Sequence, residues 1–272
     1  MHLDLHLHST CSDGSLAPAD LVAAARRAGL HLIALADHDT VAGIAAARAA
    51  ATAASGIEVL GAIEITCLRD GAELHLLGYG LDAADPGIAA LTARAGEARR
   101  ERMAAMVARL RSLGVKVAVD DVVTEPECAS IGRMHLARAL VRRGVVGTVS
   151  DAFVRYIGNG CPAFVPSRGA PVAEAIATVR MAGGLAVWAH PTLEDARHFA
   201  SLAECGLDGI EVLRPSLAPV DSSALEQAAR TAGLLVTGGS DWHGGPRPAL
   251  GSWYVTEHHV GAFLERLGIG DP

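Results

Sequence analysis

The sequence predicts an α/β barrel, because short apolar segments alternate with segments of helical periodicity along most of the chain. A second observation agrees: acidic and histidine residues follow several of the apolar segments, and barrels gather their active-site residues where strands end. The length fits as well, since 272 residues, half of them hydrophobic, can bury the core of one barrel-sized domain.

Strands and helices are expected in regular alternation in the N-terminal and C-terminal parts of the chain. Strands are predicted over residues 3–7, 31–36, 57–65, 74–77, 185–189, 209–213 and 234–237. Helices are predicted over residues 17–28, 41–54, 172–182, 193–205 and 222–232. Because parallel strands need crossover connections and helices supply them, we expect a parallel sheet covered by helices.

A long central segment interrupts this alternation and predicts a mostly helical subdomain. Residues 97–113 combine dense charge with apolar residues at helical intervals, and residues 136–141 have helical spacing as well. Prolines at both ends of the segment 162–166 favour an extended linker there. We therefore predict a barrel formed by residues 1–97 and 167–272, with residues 98–166 inserted as a helical subdomain that covers the active site.

Charge and composition restrict the class of protein. The chain has 23 basic and 30 acidic residues, a net charge of −7, which argues against a stable nucleic-acid complex but allows a local patch of arginines. Its five cysteines are scattered without a CxxC motif, so neither a disulfide framework nor a thiolate zinc site is indicated. The N-terminus lacks the pattern of a signal peptide, and no apolar stretch is long enough for a membrane span. We expect a cytoplasmic enzyme without membrane contact.

The first candidate metal ligands follow the first two predicted strands. His6 and His8 are two positions apart in an extended segment, so their rings project from the same face and can reach one metal. Asp37, His38 and Asp39 follow the next strand, where buried charge is costly unless a cation balances it. Two alternatives stay open: a His-x-His pattern also occurs by chance in strands, and Asp39 could cap the following helix.

Further candidate ligands follow the later strands. Glu64 is expected at a strand end, where its carboxylate could bridge two cations, although it could also be a surface residue. His75 is expected inside a strand, where a buried core histidine is the rival interpretation. His190 follows a strand that a proline terminates, and Asp241 and His243 follow a glycine pair that lets the backbone approach the site closely.

Asp13 lies in the polar loop of residues 9–15, and taken alone it could be a turn residue only. Each cluster has such a structural alternative when it is considered by itself. Five clusters of the same ligand type after successive strands are nevertheless hard to produce by chance. Imidazole and carboxylate are the side chains that bind hydrolytic divalent metals, so the sequence predicts a multinuclear metal-dependent hydrolase.

Together these motifs resemble the PHP (polymerase and histidinol phosphatase) family, in particular its stand-alone bacterial nucleotide-bisphosphate phosphatases and RNA-trimming exonucleases. The matching segments are His6-Leu7-His8-Ser9-Thr10, Ser12-Asp13-Gly14, Ala36-Asp37-His38-Asp39-Thr40, Glu64, His75, Gly132-Arg133-Met134-His135, Ala189-His190-Pro191 and Gly239-Ser240-Asp241-Trp242-His243. The resemblance covers nearly the whole chain. It implies a distorted (β/α)7 barrel with a helical insertion like residues 98–166.

The resemblance also implies how the ligands are shared among metals. It assigns a first metal to His6, His8, Glu64 and Asp241, a second to Glu64, His75 and His190, and a third to Asp13, His38 and His243. Manganese is the family's frequent metal, with iron or zinc as substitutes. We therefore expect two or three divalent cations as cofactors, with Mn²⁺ first and Fe²⁺ or Zn²⁺ as alternatives, because mixed nitrogen and oxygen ligands do not decide among them.

The substrate contacts are implied in the same way. Arg133 and His135 match the positions from which relatives grip a substrate phosphate, and a guanidinium group suits a two-point contact with phosphate. Relatives often have a lysine where this chain has Cys161. We expect Arg155 or Arg168 to replace that contact.

The predicted reaction is hydrolysis of a phosphomonoester of a nucleotide, such as a nucleoside 3′,5′-bisphosphate, or of the 5′ end of a short RNA. A hydroxide that bridges two metals would attack phosphorus in line, while Arg133 neutralises charge on the equatorial oxygens. Asp39 is a candidate for protonating the leaving group, and His243 is a further candidate catalytic residue. The expected partner is thus a small phosphorylated substrate.

Three alternatives differ from this reading in substrate or in activity. Amidohydrolases share the barrel and the ligand types, but many bridge their metals with a carbamylated lysine. The only lysine here is Lys116, in the predicted insertion, so Glu64 suits the bridging role better. A histidinol-phosphate phosphatase and a catalytically silent metal-binding module are the other two alternatives.

Overall fold

A nine-stranded sheet forms the frame of the protein in the computed structural model, which describes residues 1–54, 56–123, 125–245 and 248–270. The strands are β1 (His2–Leu7), β2 (Leu32–Leu35), β3 (Glu58–Arg69), β4 (Ala72–Tyr79), β5 (Ala170–Pro171), β6 (Leu185–Trp188), β7 (Gly209–Leu213), β8 (Leu235–Gly238) and β9 (Val255–Thr256). Their order in the sheet is β8-β7-β6-β4-β3-β2-β1-β9, and the short strand β5 pairs with β3.

The sheet closes almost completely into a barrel. Leu7, at the end of β1, forms a parallel bridge with Trp242, which follows β8. The backbone N–H of His8 also donates to the carbonyl of Trp242, with 3.1 Å between the two atoms. The two ends of the seven-strand path from β8 to β1 therefore meet. The predicted distorted barrel of seven strands is confirmed.

Helices connect and cover the strands. They are α1 (Pro18–Arg27), α2 (Ile44–Ala54), α3 (Pro86–Ser112), α4 (Arg133–Arg142), α5 (Val149–Ala152), α6 (Val172–Met181), α7 (Phe199–Glu204), α8 (Pro219–Thr231) and α9 (Glu257–Arg266). Prolines start α1, α3 and α8, where a missing N–H costs nothing. Asp85 caps α3 by accepting from the backbone N–H groups of Gly87 and Ile88. Within the described ranges, no helix combines the length and the apolar character that crossing a membrane requires.

The expectation of an all-parallel sheet is wrong for β4. This strand runs antiparallel to β3 and to β6, whereas the pairs β1–β2, β2–β3, β6–β7 and β7–β8 are parallel. The cause is the tight turn at Asp70 and Gly71, whose φ angles are +50° and +81°. Two consecutive residues with positive φ form a hairpin turn, and a hairpin joins antiparallel strands.

Other predicted elements differ in their limits. The helix predicted over residues 193–205 is a 3-10 turn (Leu193–His198) followed by the short helix α7. The long helical stretch expected from about residue 88, which includes residues 97–113, is α3 and begins at Pro86. β3 continues to Arg69, four residues beyond its predicted end, because the hairpin with β4 extends it.

The insertion has a hydrophobic cluster distinct from those of the barrel. Its fully buried members include Met106 and Leu110 of α3, Leu136 and Leu140 of α4, and Ile157. α3 runs without interruption across the predicted boundary at residue 98, so barrel and insertion share this helix. The division of the chain at residues 98 and 166 stays a prediction.

A close backbone contact at Gly239 fixes the end of β8 against β1, and it leads to a first testable prediction. A Cβ atom added to Gly239 would lie 2.2 Å from the Cβ of His6. We expect Gly239→Ala to lower the free energy of unfolding by about 3 kcal/mol or more, because neither strand can move away in a closed barrel. Urea denaturation followed by circular dichroism measures this change.

Gly96→Ala is the matched control for this substitution. Gly96 lies inside α3, and an added Cβ meets only Nη1 of Arg100, at an ordinary distance of 3.6 Å. Inside a helix, alanine is more favourable than glycine by about 1 kcal/mol, so this variant should be at least as stable as the parent. Equal stability of the Gly96 and Gly239 variants would contradict the predicted clash.

Candidate metal centre

Two histidines at the end of β1 form the floor of the site. His6 and His8 are fully buried, and both rings face the same two carboxylates. The Nε2 atom of His6 lies 3.3 Å from Oε2 of Glu64 and 3.5 Å from Oδ1 of Asp241. The Nε2 atom of His8 lies 3.4 Å and 3.1 Å from the same two oxygens. The alternating pattern of β1 thus brings both imidazoles to one point.

Glu64 lies at the centre of the site. Its Oε1 atom is 2.9 Å from Nδ1 of His75 and 2.9 Å from Nε2 of His190. Its Oε2 atom is 2.9 Å from Nδ1 of His38. The side chain is fully buried, and Glu64 lies inside β3 rather than at its end, because β3 is longer than predicted. The neighbouring strand β2 ends at Leu35, which leaves room for His38 beside the carboxylate.

A third set of ligands surrounds Asp13. Its Oδ1 atom lies 3.2 Å from Nε2 of His243 and 3.9 Å from Nε2 of His38. The loop that carries Asp13 is held in place by Asp37, whose carboxylate accepts hydrogen bonds from Ser9 and Ser12 at 2.6–2.7 Å. Asp37 therefore orients the loop, although the sequence suggested it as part of a ligand cluster.

Three overlapping groups could each hold one cation, since the ligand atoms in each group lie within 4.8 Å of one another. They are His6, His8, Glu64 and Asp241; His38, Glu64 and His75; and His8, Asp13, His38 and His243. His190 adjoins the second group, with Nε2 3.3 Å from Nδ1 of His75. The structure thus brings all nine predicted ligands together, and it places His8 and His38 in two groups each.

The chemistry of these atoms fits divalent cations. In the described part of the chain, five buried atoms of this centre lack a hydrogen-bond partner: Nε2 of His6, Nδ1 of His8, Oδ1 of Asp13, Nδ1 of His38 and Oε2 of Glu64. Leaving such atoms unpaired costs about 1–3 kcal/mol each, and a cation removes that cost by accepting their lone pairs. Mixed imidazole and carboxylate donors suit Mn, Fe and Zn alike.

The pKa values show how strongly the charges interact. Burial raises the pKa of the Asp13 carboxyl, but His243 and His38 outweigh it and hold the pKa well below its usual range. Burial also opposes ionisation of Glu64, and His38, His75 and His6 again reverse the direction. Burial lowers the pKa of His8 to about 3, with the charge of His243 adding to the effect. His8 is thus a neutral imidazole, the form that binds metal.

The comparisons with known proteins agree on one family. Residues 4–116 match the PHP domain. The chain is 35% identical over 251 residues to a 3′,5′-nucleoside bisphosphate phosphatase of Chromobacterium violaceum, covering 89% of this chain and 87% of that protein. The chain belongs to the PHP family.

Further PHP relatives include a 5′-3′ exoribonuclease of Haemophilus influenzae, 34% identical over 246 residues, with 88% of this chain and 89% of that protein covered. A crystal structure from Bifidobacterium adolescentis, provisionally named a metal-dependent phosphoesterase, superposes with a TM-score of 0.88. It is 36% identical, and the match covers 97% of this chain and 96% of the other. These three relatives are thus named as a phosphatase, an exoribonuclease and a phosphoesterase.

Strained backbone marks the PHP site. Among the described residues other than glycine, four have a positive φ: Asp39 (+50°), His190 (+37°), Asp241 (+55°) and Asp70 in the β-hairpin turn. Such conformations cost about 1–3 kcal/mol each and cluster at functional sites. Three of the four residues lie within or directly beside the ligand groups, which indicates that packing forces these side chains into place.

Asp39 lies outside the three ligand groups. Its carboxylate accepts from the backbone N–H and the hydroxyl of Thr66, at 2.7 Å each, and from Nε of Arg99 at 2.6 Å. Burial raises its pKa, but Arg99 and the hydrogen bonds from Thr66 outweigh burial and lower it. An ionised carboxylate paired with a guanidinium is poorly suited to protonate a leaving group, and α2 begins only at Ile44, so Asp39 does not cap that helix.

Arg133 begins α4 and is held by its surroundings. Its guanidinium lies over the rings of Phe153 and Phe164, with the Cζ atom 5.6 Å and 5.7 Å from the two centroids. Its Nη1 atom donates to Oδ1 of Asn159 at 3.0 Å. A hydrogen bond with His75 lowers the pKa of Glu73 to about 2, and the charge of Arg133 contributes to this shift. Arg133 is therefore on the side of the site where His75 lies.

His135 is buried, and both of its ring nitrogens have neighbours. Its Nδ1 atom accepts from the backbone N–H of Gly132 at 3.0 Å, and its Nε2 atom lies 3.4 Å from Sγ of Cys128. Burial lowers the pKa of the ring. The ring thus stabilises the first turn of α4, and its contact with a substrate phosphate stays a prediction.

Arg155 and Arg168 both have exposed side chains with partners in the protein, and their substitution for the lysine of relatives stays a prediction. Arg155 is exposed and lies over the ring of Tyr156, and Arg168 is exposed and pairs with Glu101 at 2.9 Å. The thiol of Cys161 donates to the carbonyls of Phe153 and Val154, so it completes a turn of the insertion instead of facing a substrate. Arg168 also lines a cavity together with Asp39 and Thr66, beside the ligand groups.

Sequence reasoning missed two buried acids beneath the ligands. Glu211 of β7 is fully buried, 2.9 Å from the ring of His6. Asp4 of β1 is fully buried and accepts from the backbone N–H of Ser240 at 2.8 Å. In both cases the sequence offered one signal of a buried functional acid. Each is a lone acidic residue inside an otherwise apolar strand, where a charge is buried only with a partner.

Proposed function

We propose that this PHP protein is a metal-dependent phosphoesterase that hydrolyses a phosphomonoester of a nucleotide. A nucleoside 3′,5′-bisphosphate is the first candidate substrate, and the 5′ end of a short RNA is the second. The observation that carries the proposal is the set of three overlapping ligand groups, two of which share Glu64. Relatives that match most of the chain are named for these two substrates.

The ligand groups assign a role to each side chain. His6, His8 and Asp241 would hold one cation, His75 and His190 a second, and Asp13, His38 and His243 a third. Glu64 would be shared, because its two oxygens face different histidines. Bound divalent cations, with manganese as first candidate, supply an activated water and neutralise charge on phosphoryl oxygens.

Arg133 would orient the phosphate. The aromatic rings of Phe153 and Phe164 and the amide of Asn159 hold its guanidinium in one position, so little side-chain entropy is lost when an anion binds. A planar guanidinium can donate two parallel hydrogen bonds to a phosphoryl group. Arg133 thus fixes the direction in which the phosphorus faces the ligand groups.

A cavity of about 230 Å³ beside the second ligand group offers room for the substrate. His75 and His190 line it together with Glu73, Trp188 and Asp195. Its wall therefore includes two of the proposed metal ligands, so a phosphate that enters the cavity meets the cations directly.

The position of Lys116 disfavours amidohydrolase chemistry in which a carbamylated lysine bridges two metals. This residue, the only lysine of the chain, is exposed on the insertion and lines a surface groove with Arg111 and Arg143. The bridging position is taken by Glu64, whose carboxylate needs no modification.

Phosphate release from a substrate panel tests the proposal. With added Mn²⁺, we expect faster release of phosphate from adenosine 3′,5′-bisphosphate, or of a mononucleotide from 5′-phosphorylated short RNA, than of phosphate from AMP or histidinol phosphate. Asp241→Ala should abolish release while the circular dichroism spectrum stays unchanged, because the side chain serves the ligands and not the core. A preference for histidinol phosphate, or the absence of release from every compound, would refute the proposed substrate class.

A further inference from the structure

We infer that Glu211 is a positioning residue. It holds the ring of His6 and the backbone of His190, so that the imidazole rings of both histidines face the bound cations. Glu211 lies in the middle of β7, the strand beside β6, and its side chain is fully buried. The inference rests on the proposed metal centre, and it assigns a function to a residue that lies outside the three ligand groups.

The two oxygens of Glu211 have different partners. Oε1 lies 2.9 Å from Nδ1 of His6. Oε2 accepts from the backbone N–H of His190 at 2.9 Å. Arg214, three residues further along, adds a second link: it donates to the backbone carbonyls of Glu211 and Pro191, at 3.0 Å and 2.6 Å. The end of β7 is thereby tied to the segment that follows β6.

The contact with His6 selects one tautomer of its ring. A carboxylate only accepts hydrogen bonds, so the proton of the neutral imidazole stays on Nδ1. The lone pair is then on Nε2, the atom that lies 3.3 Å from Glu64 and 3.5 Å from Asp241. Carboxylates that bind the second nitrogen of a metal-binding histidine in this way raise its basicity and fix its orientation.

The contact with His190 holds a strained residue. The φ angle of His190 is +37°, a conformation that residues with a side chain adopt at a cost of about 1–3 kcal/mol. The hydrogen bond from its N–H to Glu211 compensates part of this cost. Since His6 and His190 belong to different cations, one carboxylate supports two positions, and losing it should weaken both together.

The test is Mn²⁺ binding to the whole chain, measured by isothermal titration calorimetry on protein stripped of metal. In Glu211→Gln, the amide oxygen would accept from His190 and the amide N–H₂ group would face Nδ1 of His6, which favours the wrong tautomer. We expect a 10-fold to 100-fold rise in Kd. Glu211→Asp keeps the charge but cannot reach both partners, so a rise in its Kd separates positioning from charge.

Asp208→Asn is the matched control, because Asp208 precedes the same strand and binds the backbone N–H of Ala186 and the side chain of Arg180 instead. Its Kd should equal that of the parent. Parent protein that binds no Mn²⁺ would refute the proposed function itself. If the parent binds Mn²⁺ and Glu211→Gln binds it with the same Kd, only the role of Glu211 is overturned. Should the glutamine variant not fold, the same comparison is made with Glu211→Asp.

Discussion

Replacing Glu64 with glutamine is expected to reduce phosphate release by about a hundredfold to a thousandfold, the scale on which losing a key electrostatic group affects catalysis. The carboxylate touches His6, His8, His38, His75 and His190, and an amide supplies only one weak oxygen ligand without charge. Because the substitution keeps the size of the side chain, the barrel should still form. The rate of phosphate release at saturating Mn²⁺ and the metal content of the purified protein measure the effect.

Glu58→Gln provides the control, since Glu58 starts the same strand but is exposed. Its activity and metal content should match those of the parent. If Glu64→Gln kept more than a tenth of the parental rate, the central position of Glu64 in the chemistry would be disproved.

Removing the guanidinium of Arg99 is expected to lower the free energy of unfolding by about 3–5 kcal/mol, as for other buried ion pairs that lose one partner. Arg99→Met leaves the carboxylate of Asp39 buried and unpaired, and it also removes hydrogen bonds to the hydroxyl of Thr66 and the carbonyl of Ile131. Urea denaturation at neutral pH measures the loss. Arg100→Met, the exposed neighbour on α3, should change stability by less than about 0.5 kcal/mol.

A second variant distinguishes the charge of Asp39 from the packing of Arg99. Arg99→Met combined with Asp39→Asn should recover much of the loss, because no unpaired charge is then buried. The ion pair between Asp39 and Arg99 also predicts that the free energy of unfolding of the parent depends on pH. Since the pKa of Asp39 is lowered in the folded protein, its contribution to stability is present at neutral pH and disappears as the pH falls through the lowered pKa. Unchanged stability of Arg99→Met would contradict both expectations.

The ligands could be predicted from the sequence because their signal is local. His6 and His8 alternate along a strand, and Asp241 and His243 repeat the spacing after a glycine pair, so each cluster is readable within a few residues. Equivalent strand ends meet at one edge of a barrel, which links these separate signals to one place. The chain order of strands and helices followed from periodicity in the same way.

The supporting residues could not be predicted, because their partners are distant in sequence. Glu211 is a lone acid in the apolar strand β7, but its contacts with His6 and His190 exist only after β1, β6 and β7 assemble. Arg99 lies in a charge-dense stretch of α3, where periodicity does not show which arginine is buried. The turn at Asp70 and Gly71 is visible locally, but pairing of β4 with β6 depends on the path of the whole sheet.

The closure of the barrel between Leu7 and Trp242 has a consequence for biosynthesis. His8 and Asp241 are 233 positions apart, so the ribosome must release the chain as far as Asp241 before these two groups can meet. Contacts of such sequence separation form late in folding, since the entropy of a very long loop must first be lost. The two ligand groups that contain Asp241 or His243 can therefore be completed only after the ribosome has released these C-terminal ligands, long after His38, Glu64 and His75.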